Sequence, residues 1–393
     1  MVAVFVIYGL ISEETDSMAA NGENQRERMR ERPRKGGKPM SKSFVNKALL
    51  GGAVAAGAAV WAIAPRTFSD KRRNYVPSIP DVWYAHRGLH DAGSGLTAQY
   101  ANESGEYVAL ARRMAMKAGY GSPSVTGAIA PENSLAAFAA ACEAGYGIEL
   151  DLQMTADGEI VVVHDGDLMR VAGDPRRIAD LTYDELTRIP LFPTDAPGAA
   201  VAAPLPGSLE KPPLVTTPDN APEGYFQHVP LFADVLKVVA GRVPLIVEYK
   251  FDDNSKWGSR DVELMEKGDA LLQAYSGAYV IESFNPAAVN WYKENRPEVC
   301  RGQLSWWPQG EEKPSDPAAL AKEYAAGALI FDWISRPDFV AYDWHGGNSP
   351  QVRLARFMGA VPVSWTVRSR DELAQCDDWF DHHIFEAFVP DEQ

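Results

Sequence analysis

Short apolar, β-rich runs recur along the chain at 82–86, 147–152, 160–164, 243–249, 278–284, 301–305, 328–333, 361–367 and 383–388, separated by stretches of helical periodicity. That periodicity is clearest at 133–144, 231–240, 261–275 and 287–294. In the first of these, an Asn or Ser of PENS caps LAAFAAACEA and Gly145 stops it. Regular alternation of strand and helix predicts an α/β fold with a parallel sheet, whose chemistry gathers at the carboxyl ends of the strands.

Two stretches interrupt the alternation. Residues 90–130 are far longer than a direct connection needs, and 189–229 are rich in Pro and Ala with few periodic apolar positions. Each follows an expected strand, 82–86 and 160–164 respectively, so both are expected to project from the active-site face as a rim or lid. The stretch 102–118 has helical periodicity and is the expected lid helix.

The N-terminal region has a different pattern. Residues 24–47 hold nine Lys and Arg against two Glu, and 48–64 (ALLGGAVAAGAAVWAIA) carry no charge. A span of about 20 apolar residues crosses a bilayer, so 1–43 reads as a basic tail, 44–65 as a single membrane anchor, 66–80 as a linker and 81–393 as the globular domain. More positive charge precedes the anchor than follows it, which places the tail in the cytoplasm and the domain outside. Two alternatives compete: a signal peptide cleaved after AIA at 62–64, against which Pro65 and the long basic lead argue, and a true start at Met40.

Net charge is −15, and removing the +7 of residues 24–47 leaves −22 on the rest, which excludes nucleic acid as an expected partner. Three cysteines, Cys142, Cys300 and Cys376, are too few for a disulfide framework. The pattern contains no internal repeat, glycine-rich nucleotide loop or zinc spacing, and it singles out no oligomeric state.

Chemistry-bearing residues concentrate at three strand ends. In IELDLQ, alternation puts Glu149 and Asp151 on one face, where two buried carboxylates need a compensating cation. Glu248 in VPLIVEYK is the natural third ligand, and an all-oxygen set favours Mg²⁺ or Ca²⁺. His86 ends DVWYAH and His164 ends EIVVVH, so both are expected at carboxyl ends of parallel strands, where one imidazole can act as base and the other as acid. Arg87 and Lys250 bring positive charge for a phosphate, or else neutralise the neighbouring carboxylates.

These strings resemble the glycerophosphodiester phosphodiesterase family: HRG at 86–88, PENS at 131–134, AAF at 136–138, ELD at 149–151, TADG at 155–158, VVVHD at 161–165, EYK at 248–250 and WT at 365–366. The resemblance covers roughly residues 82–390. It implies a (β/α)8 barrel, hydrolysis of a glycerophosphodiester to glycerol 3-phosphate and an alcohol, and a divalent cation. Carried over by residue, it makes His86 and His164 the acid and base, Glu149, Asp151 and Glu248 the metal ligands, and Arg87 and Lys250 the phosphate contacts. Glu132 would support the site and Trp365 would line the pocket. The family ordinarily closes with an aspartate after its last strand, and here Glu386 stands near that place, a departure bearing on substrate contacts on that side.

The nine β-rich runs exceed the eight places of such a barrel, and 328–333 is the expected extra. Two further readings compete on substrate and class: a lysophospholipase D-like activity on membrane lipids, and an idle barrel that binds phosphodiesters. Retention of both histidines and all three carboxylates speaks against the idle barrel.

Overall fold

The computed structural model describes residues 56–69, 77–125, 127–193, 227–252, 256–308 and 313–391. Eleven strands occur among them: β1 (Tyr84–Ala85), β2 (Gly147–Met154), β3 (Ile160–Val162), β4 (Asp167–Leu168), β5 (Asp174–Arg177), β6 (Leu245–Tyr249), β7 (Tyr279–Ser283), β8 (Arg301–Ser305), β9 (Phe339–Asp343), β10 (Val361–Val367) and β11 (His382–Phe385). Eight of these, β1, β2 and β6 to β11, pair in parallel from neighbour to neighbour, and β1 closes the ring by pairing with both β11 and β2. The fold is a (β/α)8 barrel.

Alternation within each strand divides the apolar side chains between two cores. Inward-facing Tyr84, Ile246, Val280, Leu304, Phe339 and Val363 fill the barrel. On β8, Gly302 has no side chain because the Phe339 ring occupies the space a Cβ would need. Outward-facing Ile148, Leu150, Leu245, Val247 and Ile281 pack under the helical layer. The helix Leu135–Ala144 shows how local signals set its ends: Ser134 accepts from the Ala137 amide, and Gly145 closes it at φ 82° in the left-handed region.

Two strand expectations need correction. The extra β-rich run is 160–164, because β3 folds back antiparallel on β2 (Leu152 opposite Val162, Met154 opposite Ile160). The TADG turn makes this a hairpin, so β3 is not a barrel strand. The run 328–333 is not a strand either: it follows the helix Pro317–Gly327 and enters the short helix Asp332–Ser335. It is outside the barrel, as expected of the extra run, and the eighth place goes to β9, FVAYD, which the pattern missed. Short apolar runs carry no period long enough to separate strand from helix, and β9 is decided by pairing with both β8 and β10.

The first insertion is half as predicted. Its helix, Ala101–Lys117, exists, but it packs along Leu135–Ala144 on the barrel flank instead of crossing the mouth. Its anchor is Arg112, buried and bonded to Asp91 at 2.6 Å and to the Gly127 carbonyl at 2.7 Å. The N-terminal end does reach the rim, where Tyr100 donates to Glu372 at 2.8 Å. After β3 the chain builds a small satellite core with the β4–β5 ribbon, centred on Leu168, Val171, Ile178 and Leu186. Most of the second insertion, 194–226, lies outside the described residues.

Of the expected anchor, 44–55 also lie outside the described residues. Residues 56–63 are helical, a second short helix spans Arg66–Ser69, and no helix among the described residues is long and apolar enough to cross a membrane. Residues 61–67 dock on the barrel at the amino ends of β8, β9 and β10. Arg66 pairs with buried Asp338 at 3.4 Å, Arg336 donates to the Trp61 and Ala64 carbonyls at 2.7 and 2.8 Å, and Thr67 donates to the Met358 carbonyl at 3.1 Å.

Candidate active site

At the opposite, carboxyl end of the barrel, β1 stops after two residues and the chain turns sharply through Arg87 at φ 57° and Gly88 at φ 81°. Gly88 is required there: a Cβ would lie 2.9 Å from the Ala137 backbone of the capped helix. This turn aims His86 over the mouth and directs the Arg87 amide at Glu149 Oε2, 3.0 Å away. Asn133, also left-handed at φ 56°, donates its backbone amide to the Arg87 carbonyl at 2.9 Å and its side chain to Asp151 at 2.9 Å. HRG and PENS, far apart in sequence, thereby form one interlocked turn.

Glu149 and Asp151 on β2 and Glu248 on β6 converge, as strand alternation predicts. One oxygen from each lies within 4.8 Å of the others, and all three residues are buried. Burial, then Asp151 and Glu248, push the Glu149 carboxyl well above its ordinary range. Burial raises Glu248 to about 7 despite Lys250, 2.8 Å away. Burial would raise Asp151 too, but Lys250, His164 and Arg87 outweigh it and hold that carboxylate low. Glu248 Oε1 is buried without a hydrogen-bond partner among the described residues, and Asp151 Oδ1 has the Lys250 ammonium at 3.3 Å. An all-oxygen trio with unspent acceptor capacity and mutual repulsion fits a hard divalent cation.

The two histidines are held by carboxylates of different origin. His86 Nδ1 lies 2.6 Å from Glu386 Oε2, and Nε2 lies 3.9 Å from Glu149. Burial drives His86 down to about 4, although Glu386 opposes the shift. Glu386 also receives Ser94 Oγ at 2.7 Å and Arg368 Nε at 2.6 Å. The departure noted at Glu386 therefore bears directly on a candidate catalytic imidazole, not on outlying substrate contacts.

His164 reaches the rim from the antiparallel hairpin instead of a parallel strand. The Val163 amide bonds the Asp151 carbonyl at 2.9 Å, which seats His164 beside the carboxylate trio. Its Nδ1 lies 2.7 Å from Asp165, and burial lowers its proton affinity.

Glu132 and Trp365 take distinct places. Glu132 is buried between Arg87 (2.8 Å) and Arg170 (2.9 Å to its Oε2), and accepts the Ser94 amide at 2.6 Å. It ties the turn after β1 to the β3 side of the mouth, since Arg170 also holds Asp165 at 2.6 Å. Trp365 is half-buried edge-on to Phe284 at 5.5 Å, and Lys250 stands over that Phe284 ring at 5.7 Å. Beside the mouth, a polar hollow of about 500 Å³ is lined by Tyr100, Glu103, Asp343, Trp344, Arg368 and Glu372, among others.

Sequence reasoning missed Arg170, Arg368, Ser94, Asn133 and Glu282. Glu282 had a signal: in YVIES it shares the inward face with Val280, and its Cα pairs with Glu248. Burial, then Glu248, push its carboxyl well above the ordinary range. The other four lie in turns or short segments, where no periodicity reports what a side chain faces.

Fold and site together define a (β/α)8 barrel with an acidic cluster, two imidazoles and several cationic side chains at its carboxyl face. The model of the glycerophosphoryl diester phosphodiesterase family matches residues 125–385, and the chain belongs to that family. Among solved structures, one from Silicibacter pomeroyi DSS-3 shares the fold, with a TM-score of 0.50 at 19% identity over 79% of this chain and 92% of that one. A glycerophosphodiester phosphodiesterase of Caldanaerobacter subterraneus is 43% identical over 60 residues, and glycerophosphodiester phosphodiesterase 1 of Bos taurus 43% over 61. Those matches span 15% of this chain and only 25% and 18% of the two relatives.

Proposed function

We propose that this barrel hydrolyses glycerophosphodiesters to glycerol 3-phosphate and an alcohol. The observation that carries the reading is the convergence of Glu149, Asp151 and Glu248 within 4.8 Å, with His86 and His164 at the same rim. The three carboxylates would hold Mg²⁺ or Ca²⁺, which when bound supplies Lewis-acid polarisation of the phosphoryl oxygens.

Arg87 and Lys250 now neutralise carboxylates and would turn part of that charge toward the phosphate. His86, neutral and donating Nδ1–H to Glu386, presents Nε2 to take or return a proton. His164, set by Asp165, serves as the other member of the acid and base pair. Glu132 keeps the two Arg-bearing segments in register, and Trp365 with Phe284 forms the apolar wall beside Lys250.

The uncharged run 48–64 supports a single N-terminal anchor within 44–65 that ends where 61–65 dock on the barrel, and the excess of positive charge ahead of it supports an extracytoplasmic barrel.

The test is release of glycerol 3-phosphate by the purified full chain from a panel of glycerophosphodiesters, with Mg²⁺ or Ca²⁺ and with chelator. Release that chelator stops and His86→Ala abolishes is the expected result. No release from any diester with either cation would overturn the reading.

A further inference from the structure

Large exposed apolar side chains gather at the end of the barrel opposite the mouth. Trp61, Phe68, Trp333 and Phe357 are 56%, 59%, 45% and 88% exposed, and all four lie on or beside the docked segment 61–69. Trp61 and Trp333 stack at 5.6 Å, and the Arg336 guanidinium covers the Trp61 ring at 4.9 Å. Phe357 precedes Met358, whose carbonyl Thr67 holds, and exposed Arg353 lies one turn before Phe357 on the helix Pro350–Phe357. Aromatic rings interleaved with Arg are the composition of a membrane–water interface, where each ring buries its apolar body and the cations meet headgroups.

The run without charge, 48–64, leads directly into this surface through Trp61. We infer that the base of the barrel rests on the bilayer that its own apolar segment enters, so that the catalytic mouth faces away from the lipid. This rests on the anchor reading above and adds an orientation and a substrate class to it. The docked contacts leave no slack: Arg66 to Asp338, Arg336 to two carbonyls and Thr67 to Met358 fix the chain to the amino ends of β8, β9 and β10 within a few residues of the anchor. His86, Glu149, Asp151 and Glu248 sit at the other strand ends. A strand of the length of β10 separates the two faces by about 20 Å. A lipid embedded in the same bilayer cannot bring its phosphate to that mouth, whereas a water-soluble diester can.

The experiment uses the full chain in phosphatidylcholine vesicles containing phosphatidylglycerol. Nitroxide labels are placed at 357 (Phe357→Cys) or at 169 (Met169→Cys, beside the mouth), with the three native cysteines replaced and turnover of glycerophosphocholine confirmed. Relaxation by oxygen should dominate at 357, and relaxation by an aqueous nickel chelate at 169. Equal nickel accessibility at both sites, with the chain still in the vesicles after an alkaline wash, overturns the orientation while leaving the anchor intact. Loss of the chain to the wash overturns the anchor reading and the inference together.

The unmodified protein gives a second measurement. It should hydrolyse glycerophosphocholine equally in vesicles and in detergent. Lysophosphatidylcholine held in the same vesicles should turn over at under a tenth of its rate in micelles, and equal rates in the two settings would overturn the inference.

Discussion

Glu386 Oε2 lies 2.6 Å from His86 Nδ1, joining the last barrel strand to the first across the closure of the ring. Of the forces on His86, burial is the largest and lowers its proton affinity, while the Glu386 charge works against burial. Glu386→Gln keeps a hydrogen-bonding side chain but removes that charge. The acid limb of kcat/KM should move to lower pH, and kcat should fall about 10²-fold because a forming imidazolium loses its counter-charge. An unchanged pH profile would show that Glu386 only packs.

The same imidazole sets a pH dependence of stability. Its folded pKa, about 4, lies below the ordinary 6.5, so between those values the unfolded chain binds the proton that the folded one refuses. Stability from this group is fully present above pH 6.5 and is lost as pH falls toward 4. In chelator, urea midpoints should decline more steeply across that window for the native chain than for His86→Gln.

The acidic trio predicts a cation effect on the native protein that a variant lacks. Saturating Mg²⁺ or Ca²⁺ at about 100 times Kd should stabilise the native chain by about 2.7 kcal/mol. Glu149→Gln should lose that gain, yet unfold no earlier than the native chain in chelator, because it removes a carboxyl that burial, Asp151 and Glu248 already disfavour as a charge. Thermal scans with and without each cation read both effects.

His86→Ala and His164→Ala should each lower kcat by about 10² to 10⁴ while leaving cation affinity close to native, since neither imidazole belongs to the oxygen trio. Calorimetric titration of cation into each variant, alongside turnover, separates a proton-transfer role from a ligand role.

Arg112 supplies a test of the inserted helix. It meets Asp91 at 2.6 Å, and Asp91 also accepts the Ile129 and Ala130 amides at 2.9 and 2.8 Å. Arg112→Leu should cost about 3 kcal/mol in urea unfolding, the usual consequence of leaving a buried charge without its partner. A loss below about 1 kcal/mol would mean that the amides alone satisfy Asp91.

Much of this molecule is local and so readable from the chain. Period-two alternation places Glu149 beside Asp151, PENS and Gly145 bound a helix, and the apolar runs supply seven of the eight barrel strands. The site residues drawn from HRG, ELD, HD and EYK do come together, HRG, ELD and EYK because the barrel directs their strands to the mouth, and HD because β3 folds back on β2 beside it. Tertiary structure alone decided the rest. Whether 160–164 joined the barrel or folded back on β2 depended on pairing partners, and FVAYD became β9 because β8 and β10 left a vacant register between them. The bonds from Glu386 to His86 and from Arg170 to Glu132 span 300 and 38 residues; ring closure brings the first pair within reach and the return of β3 along β2 the second, and periodicity reports neither. The docking of 61–67 on the barrel base follows the same rule: an apolar run announces burial, but only the folded surface determines what it is buried against.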